Sequence, residues 1–168
     1  MNDFSADVRL AVKGDTAAFA RLYVLVAADL YRIALYSLRN THDACDAVSD
    51  TVMDAFCSIG KLRDEKAFRG WIMKILSSKI KRRQKEYING AEPIEEAIFE
   101  SSDFDYDSFE IREALENLDS RSRLILSMSV LGGYKSDEIA KICDMKPATV
   151  RSKLSRIKKQ LRMSLDSE

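Results

Sequence analysis

Apolar residues recur at helical spacing along most of the chain. From residue 19 onward they form one stripe on a single long helix: Phe19, Leu22, Tyr23, Val26, Leu30, Ile33 and Ala34. Such a stripe is typical of an amphipathic helix that packs on a core. Gly14 followed by Asp15 is typical of a helix end followed by a new N-cap. Because no alternating β-branched pattern competes with these stripes, the chain is predicted to be all-α.

A second helix is predicted from Thr41, as N-cap, to about Ile59. Its inward face is assigned to Ala44, Val48, Thr51, Val52, Ala55 and Phe56. Four carboxylates recur along another side and are called the acidic stripe here: Asp43, Asp46, Asp50 and Asp54. Like charges in adjacent turns repel, and no Lys or Arg lies among them to offset this. The stripe therefore favours docking to a basic partner, although a solvated face is the alternative.

A third helix is predicted after a polar turn at residues 61–66. Its apolar stripe consists of Phe68, Trp71, Ile72, Ile75 and Leu76. Between Lys74 and Lys85 lie six basic residues and no acidic one. A basic patch beside an exposed aromatic fits a surface that tracks phosphates and stacks bases. A core tryptophan beside solubilising lysines is the alternative interpretation.

In the C-terminal part, the residues that typically begin and end helices are spaced as in a helix-turn-helix. Two short helices are predicted to bury Leu115, Leu118, Leu124, Ile125, Met128 and Leu131, with Asp119 between them and a Gly132-Gly133 break after them. Ser136 is then expected to cap a short helix, and residues 144–146 make the turn. Pro147 stands at the first position of the last helix, which is predicted to run to Met163.

The last helix has one apolar and one basic face. Val150, Leu154, Ile157 and Leu161 must face the domain, whereas the opposite face carries Arg151, Ser152, Ser155, Lys158, Lys159 and Arg162. From Lys146 to Arg162 there are seven basic residues and no acidic one. A uniformly basic face fits the DNA major groove, where arginine reads guanine and lysine or serine holds phosphates. A merely solvated helix would normally include some glutamates.

The formal net charge of +0 conceals an uneven distribution. Residues 1–85 sum to +5, residues 86–109 to −8 and residues 110–168 to +3. The acidic middle also contains Gly90, Pro93 and a Ser-Ser pair, without a sustained helical period. The sequence thus predicts two basic helical domains, 1–85 and 110–168, joined by a flexible acidic linker, 86–109.

The sequence does not favour a membrane protein, a secreted protein, a metalloprotein or an enzyme. The chain is 46% hydrophobic and 32% charged, and neither a membrane-spanning stretch nor a signal peptide is evident, so a cytoplasmic protein without membrane insertion is expected. Cys45, Cys57 and Cys143 form no CxxC motif, and His42 with Cys45 offers two ligands where structural zinc needs about four. No P-loop or catalytic triad is present. We expect neither a metal, nor a cofactor, nor an enzymatic activity.

The motifs resemble those of one family. VKGDTAAFARLY, DACDAVSDTVMDAF and GWIMKILSSKIKRR resemble region 2 of extracytoplasmic-function (ECF) RNA polymerase sigma factors. LDSRSRLILSMSVLGGYKSDEIAKICDMKPATVRSKLSRIKKQL resembles their region 4. The two regions occur in the family's order and cover nearly the whole chain. The resemblance implies a sigma factor that binds core RNA polymerase and directs promoter-specific transcription initiation.

The resemblance also implies partners and residues for docking. In the family, the second helix of region 2 docks on the β′ clamp helices of core polymerase, and region 4 meets the β flap. The docking set here would be Asp43, Asp46, Val48, Ser49, Asp50 and Met53. Anti-sigma proteins are usual in the family, so a cognate one is a further candidate partner.

Promoter contacts are implied in the same way. The residues matching those that engage the melted −10 strand are Arg63, Asp64, Lys66, Trp71, Lys74, Ser78, Lys79, Arg82 and Arg83. Those matching the −35 contacts are Thr149, Arg151, Ser152, Lys153, Ser155, Arg156 and Lys159. The chain departs from the pattern at several positions: Ser78 replaces an asparagine, Cys45 a glutamate, Ser49-Asp50 a Gln-Glu pair, and Ala148 a glycine. These departures affect −10 preference more than the overall assignment.

Two other functions are compatible with parts of this sequence. A conventional helix-turn-helix transcriptional regulator would use the same C-terminal domain with an N-terminal sensor or partner-binding domain. A sensor domain, however, has no need of an acidic docking helix followed by a basic one. A helical protein-binding adaptor is the second rival, and it leaves the seven uncompensated cations of the last helix unexplained.

Overall fold

The computed structural model describes residues 4–90, 113 and 116–166, and it contains seven α-helices in these ranges. The helices are α1 (Ser5–Val12), α2 (Thr16–Leu38), α3 (Thr41–Ser58), α4 (Phe68–Asn89), α5 (Ser120–Val130), α6 (Ser136–Cys143) and α7 (Pro147–Leu165). No β-strand occurs in the described ranges. Most of the predicted linker lies outside them. The all-α prediction is confirmed.

Short polar residues cap two helices, α2 and α3, of the N-terminal module, which consists of α1 to α4. Asp15 caps α2 by accepting a hydrogen bond from the Ala18 amide at 3.0 Å, as predicted. Asn40, rather than the predicted Thr41, caps α3 by accepting from the Asp43 amide at 2.9 Å. An asparagine at this place satisfies an orphan N–H of the first turn. The preceding Arg39 has φ 55°, which ends α2.

The core of the N-terminal module is apolar and closely packed. Its largest fully buried side chains are Leu22, Leu30, Ile33, Phe68, Ile72, Met73, Leu76 and Ile80. The predicted α2 stripe is buried as expected, with Tyr23 at its edge. Phe56 was assigned to the inward face of α3, but it is 49% exposed and only its ring edge contacts Phe19, at 5.3 Å between centroids.

The C-terminal module, α5 to α7, has the predicted helix-turn-helix. Asp119 caps α5 by accepting from the Ser122 amide at 3.0 Å. Ser136 is not the cap of α6 but its first residue; the Glu138 carboxylate accepts instead from the Lys135 amide at 2.7 Å. Asp144, with φ 52°, forms the turn, and Pro147 opens α7 as predicted.

The two glycines after α5 position an aromatic side chain. Gly133 has φ +66°, which other residues rarely adopt. A Cβ on Gly132 would lie 2.6 Å from two ring carbons of Tyr134. Only glycines therefore allow this turn to carry Tyr134 into a buried position, where it is 4% exposed.

The two modules pack directly on one another. Helix α5 lies against α2, and α6 lies against α4, so the buried apolar side chains of both modules form one cluster. Gln84 of α4 joins them: its Nε2 donates to the carbonyl of Ser37 in α2 and to that of Ser120 in α5, each at 3.2 Å. The sequence left the relative orientation of the modules open. Among the described residues, no helix has the length and apolar character needed to cross a membrane.

Candidate functional site

The acidic stripe of α3 faces the basic residues of α4. Asp54 pairs with Lys79 at 2.5 Å, and Asp50 pairs with Arg82 at 3.6 Å. Arg83 reaches both Asp46, at 3.4 Å, and Asp43, at 3.6 Å. The expectation that the stripe has no partner within the chain is therefore wrong. The offsetting charges lie on the antiparallel neighbouring helix, which a pattern read along α3 alone does not reveal.

Most of the predicted docking set remains accessible on the outer side of α3. Ser49 is exposed, Met53 is 67% exposed, and Asp50 keeps a large part of its side chain in solvent. Val48 is only 7% exposed and belongs to the core, so it offers no surface to a partner. Asp43 is largely covered and accepts a hydrogen bond from the Tyr87 hydroxyl.

Phe56 extends this outer surface, and the sequence interpretation missed it. It lies three residues after Met53 on α3, and both large apolar side chains are exposed. An exposed apolar pair flanked by carboxylates is typical of a protein-binding surface rather than of a solvated face. Phe56 lies at the edge of the apolar stripe of α3. At such a position the helical pattern is compatible with either a buried or an exposed side chain, so the pattern alone did not identify Phe56 as a surface residue.

The loop before α4 holds three of the predicted −10 residues. Arg63, Asp64 and Lys66 are all exposed. Asp64 stabilises the loop by accepting from the Lys66 amide at 3.0 Å. An ion pair of 2.5 Å between Glu65 and Arg9 fastens the loop to α1. The loop is thus accessible at the start of α4 and linked to α1 by a surface ion pair.

Trp71 does not stand free of the core. It is partly buried, and its ring lies 6.1 Å from that of Phe68 between centroids. The aromatic that was predicted to be exposed is therefore only partly exposed. Farther along α4, Lys74, Ser78 and Arg82 are exposed at a spacing of four residues and share one side of the helix. Together with the loop, this row forms the accessible part of the predicted −10 surface.

The C-terminal module packs along α4 and reaches Lys74, one end of the exposed row. Lys74 pairs with Asp144 at 3.5 Å, and Lys81 donates to the Cys143 carbonyl at 3.2 Å. The Cys143 thiol lies 3.9 Å from the Ser77 hydroxyl and is 3% exposed. Burial raises the pKa of the Cys143 thiol, so it stays protonated and unreactive in this arrangement.

The first turn of α4 makes a second contact between the modules. The Arg69 guanidinium lies over the Tyr134 ring at 4.0 Å from its centroid and donates to the Gly132 carbonyl. This is the geometry of a cation–π interaction. Burial raises the pKa of Tyr134 to about 12, although the nearby Arg69 opposes this. The phenol is therefore neutral at physiological pH.

The predicted −35 face of α7 is open. Its exposed members are Thr149, Arg151, Ser152, Ser155, Arg156 and Lys159. Val150, Leu154 and Ile157 are buried on the opposite side, as predicted. Lys153 is partly covered, and Arg151 pairs with Asp137 of α6 at 3.1 Å. Within the described ranges, no carboxylate lies within 4.0 Å of the Arg156 or Lys159 cation, so both are available to an anionic partner.

A group of possible metal ligands lies at the start of α3. The ligand atoms of His42, Asp43 and Asp46 all lie within 4.8 Å of one another. Cys45, which the sequence set beside His42, is not part of this group. Arg83 already pairs with both carboxylates, so one cation offsets part of their negative charge without a metal ion. The absence of a metal remains a prediction.

Comparison with known proteins identifies the class. Residues 22–86 match the family model for sigma-70 region 2, and residues 108–161 match the model for sigma-70 region 4. These ranges include the acidic stripe, the basic segment of α4 and the helix-turn-helix. The chain belongs to the sigma-70 family of RNA polymerase sigma factors, and its relatives place it in the ECF group.

Among these relatives is the RNA polymerase sigma factor SigV of Bacillus subtilis, 28% identical over 143 residues that cover 83% of this chain and 86% of SigV. The ECF RNA polymerase sigma factor SigM of Mycobacterium tuberculosis is 24% identical over 89% of this chain and 78% of its own length. The resemblance expected from the motifs is therefore confirmed.

Solved structures share the fold. CnrH, in complex with the cytosolic domain of CnrY, superposes with a TM-score of 0.76 over 99% of both chains at 19% identity. The sigma factor RpoE of Bartonella quintana, in complex with the anti-sigma factor NepR, gives 0.73 over 88% of this chain and 96% of RpoE at 23% identity. The two-module, all-helical architecture is thus shared with both.

Proposed function

We propose that this protein binds core RNA polymerase through α3 and directs initiation at specific promoters. The observation that carries the proposal is the presence of two different interaction surfaces on one chain. Helix α3 presents exposed carboxylates beside Met53 and Phe56, whereas α7 presents a uniformly cationic face. The first suits a basic protein surface and the second suits duplex DNA.

The docking surface consists of Asp46, Ser49, Asp50 and Met53, with Phe56 added. Exposed apolar side chains supply contact area, and the carboxylates supply orientation toward the β′ clamp helices. Region 4 would meet the β flap. This division of labour assigns no chemistry to the protein itself, since the polymerase carries out the reaction. The proposed place of action is the cytoplasm.

Promoter recognition is divided between the modules. The −35 duplex would lie on α7, where Arg151, Ser152 and Arg156 face solvent. The melted −10 strand would follow the Arg63–Lys66 loop and the exposed row Lys74, Ser78 and Arg82 on α4. Residues 1–85 and 110–168 serve as the two binding domains, although α4 itself continues to Asn89. The acidic segment 86–109 is the proposed tether between them.

An anti-sigma protein is a proposed further partner. Both structural neighbours were solved in complex, one with the cytosolic domain of CnrY and the other with the anti-sigma factor NepR. The contact between α4 and α6 in this chain covers part of the proposed −10 surface. A partner that favours this contact would keep the factor from its promoter.

Core binding tests the proposal. A fluorescently labelled protein is titrated with core RNA polymerase, and complex formation is followed by anisotropy. We expect a stable complex that Met53→Ala weakens, because Met53 is an exposed apolar side chain of the docking surface. Val24→Ala is the matched control, since Val24 is 74% exposed on α2 and lies outside that surface. A wild-type protein that fails to bind core polymerase would favour the helix-turn-helix regulator instead.

A further inference from the structure

Helix α1 packs against both sides of the loop before α4. In this loop, the exposed residues Arg63 and Asp64 lie between two short 3₁₀ turns, Ile59–Lys61 and Glu65–Ala67, and α1 packs against both turns. The loop belongs to the proposed −10 surface. The match to sigma-70 region 2 begins at residue 22, after α1 has ended, so the contacts of α1 are the guide to its role.

Different parts of α1 contact the two turns. At the end of α1, the Val12 carbonyl lies against Gly60, 3.8 Å from the position that a Cβ on this glycine would take. Near the middle of α1, Arg9 donates to the Glu65 carboxylate at 2.5 Å. The first contact reaches the turn before Arg63, and the second reaches the turn after it. Both ends of the exposed segment therefore rest on one short helix.

The residue before α1 contacts the aromatic side chains that follow the loop. The Phe4 ring lies 5.7 Å from that of Phe68, and Phe68 lies 6.1 Å from Trp71, between ring centroids. Phe68 is 1% exposed, so both of its neighbours pack on a buried ring. Trp71 is one of the predicted −10 residues. The N-terminal segment thus contacts the loop directly and is linked to Trp71 through Phe68.

We propose that α1 positions the loop before α4, and that Arg9, through its pair with Glu65, is a positioning residue that determines how strictly this loop discriminates among the bases of the −10 strand. This inference rests on the proposed function and deepens it. A loop held in one conformation favours the base that fits that conformation, whereas a mobile loop adapts to several bases. Arg63 and Lys66 would meet the strand, and Arg9 would act only through the loop.

Helix α1 itself does not depend on the pair with Glu65. Val8 and Ala11 are 0% and 3% exposed and anchor α1 in the core. A second ion pair, between Arg21 and Asp7 at 2.7 Å, joins α1 to α2 and does not involve the loop. The side chains of Arg9 and Arg21 are similarly exposed, at 56% and 54%. Loss of the Arg9 pair should therefore loosen the loop without detaching α1, and Arg21 supplies a matched control.

Hydrogen exchange tests the support of the loop in the free protein. Arg9→Gln and Arg21→Gln each remove one ion pair and one positive charge, but only the first pair reaches the loop. Exchange is followed by mass spectrometry on peptides covering residues 59–68, where the Leu62 and Ala67 amides each donate to a loop carbonyl at 3.0 Å. We expect Arg9→Gln to accelerate this exchange about two- to fivefold, the effect of one exposed ion pair, and Arg21→Gln to leave it unchanged.

A charge swap separates the ion pair from general damage. Arg9→Glu places two carboxylates together and should also accelerate exchange in the loop, and the addition of Glu65→Arg should restore the slow rate. Exchange is the only readout for this swap, because a new arginine in the loop would itself attract DNA. Equal exchange in Arg9→Gln and Arg21→Gln, or no rescue by the swap, would overturn the proposal. Thermal unfolding monitored by circular dichroism establishes that each variant is folded.

Base discrimination tests the consequence for promoters. Complexes of core RNA polymerase with the wild type, Arg9→Gln or Arg21→Gln select fragments from a random duplex library, and the selected fragments are sequenced. We expect Arg9→Gln to reduce the preference for the favoured −10 base about two- to fivefold, with the −35 preference and the affinity for core polymerase unchanged. Arg21→Gln should match the wild type.

The outcomes distinguish the two proposals. An unaltered −10 preference in Arg9→Gln would overturn the role of Arg9 in discrimination, even if exchange in the loop accelerates. A loss of −10 and −35 preference together would overturn it as well, because the loop does not meet the −35 duplex. If the wild type does not bind core polymerase, the proposed function fails, and the exchange rates alone decide whether Arg9 positions the loop.

Discussion

The Arg69 guanidinium lies 4.0 Å above the ring of Tyr134 and thereby joins the first turn of α4 to the turn after α5. Arg69 belongs to the N-terminal module and Tyr134 to the C-terminal one. The contact is available only because Gly132 and Gly133 allow the chain to turn Tyr134 inward. Arg69 is thus a direct determinant of how firmly the two modules are held together.

Removing this contact should loosen the interface between the modules. Arg69→Ala loses the cation–π interaction and the hydrogen bond to the Gly132 carbonyl, about 1 to 2 kcal/mol together. We expect alkylation of Cys143 to accelerate several-fold, because that thiol is buried between α4 and α6. Peptide mass spectrometry resolves Cys143 from Cys57, which is exposed and should react at an unchanged rate. An unchanged Cys143 rate would show that Arg69 does not hold the interface.

Stability should fall in alkali through Tyr134. Its pKa is raised from 10.0 to about 12 by burial, so the folded state favours the neutral phenol. A group whose folded pKa is raised contributes stability below its unfolded pKa, and that contribution is lost as pH rises from about 10 to about 12. The loss is on the order of 2 kcal/mol. Denaturant unfolding between pH 8 and pH 12 should show a steeper decline for the wild type than for Tyr134→Phe; parallel curves would contradict this account.

Gln84 should contribute to the stability of the whole chain. Its amide donates to one carbonyl from each module, and the side chain is 7% exposed. Gln84→Ala leaves both acceptors without this donor and should lower the free energy of unfolding by about 1 to 3 kcal/mol. Gln160→Ala, at an exposed position of α7, is the control and should change it little. Equal effects of the two variants in urea unfolding would show that Gln84 does not bridge the modules.

Arg151 should contribute to −35 recognition. It is exposed at the start of α7 and is held by Asp137 at 3.1 Å. Arg151→Ala should cost about 1 to 3 kcal/mol on a cognate −35 duplex, with a smaller loss on a scrambled duplex, if the guanidinium contacts a base. The measurement is a pair of binding isotherms at one salt concentration. An equal loss on both duplexes would instead make Arg151 a phosphate contact.

Much of the fold could be predicted because its signals are local. The α2 stripe, the cap at Asp15 and the proline at the start of α7 all act within one or two turns, and each was found where the pattern placed it. The caps of α3 and α6 were each placed one residue too late. Asn40 and Thr41 both favour the cap position of α3, and the choice between them depends on backbone geometry that a single sequence does not specify. At α6 the cap position is held by Lys135, whose amide is satisfied by the Glu138 carboxylate rather than by a serine cap.

The relations between helices could not be predicted from patterns within them. Asp54 and Lys79 were both singled out, but as parts of two separate surfaces, and only the antiparallel packing of α3 on α4 brings their charges to 2.5 Å. The exposure of Phe56 and the burial of Val48 could not be predicted either. A helical period indicates which side of a helix faces the core, but it does not indicate how far around the helix the buried surface extends. The packing of α6 on α4 likewise depends on contacts far apart in sequence.

Promoter-dependent transcription shows whether this protein directs core RNA polymerase to specific promoters. Core RNA polymerase is incubated with this protein and a library of genomic fragments, and the transcripts are sequenced from their 5′ ends. We expect initiation that depends on added protein and occurs at a discrete set of sites sharing −35 and −10 sequences. Substitution of Arg151 and Arg156 together should abolish this initiation. A protein that binds those fragments but never directs core polymerase to initiate would be a DNA-binding regulator and not a functional sigma factor.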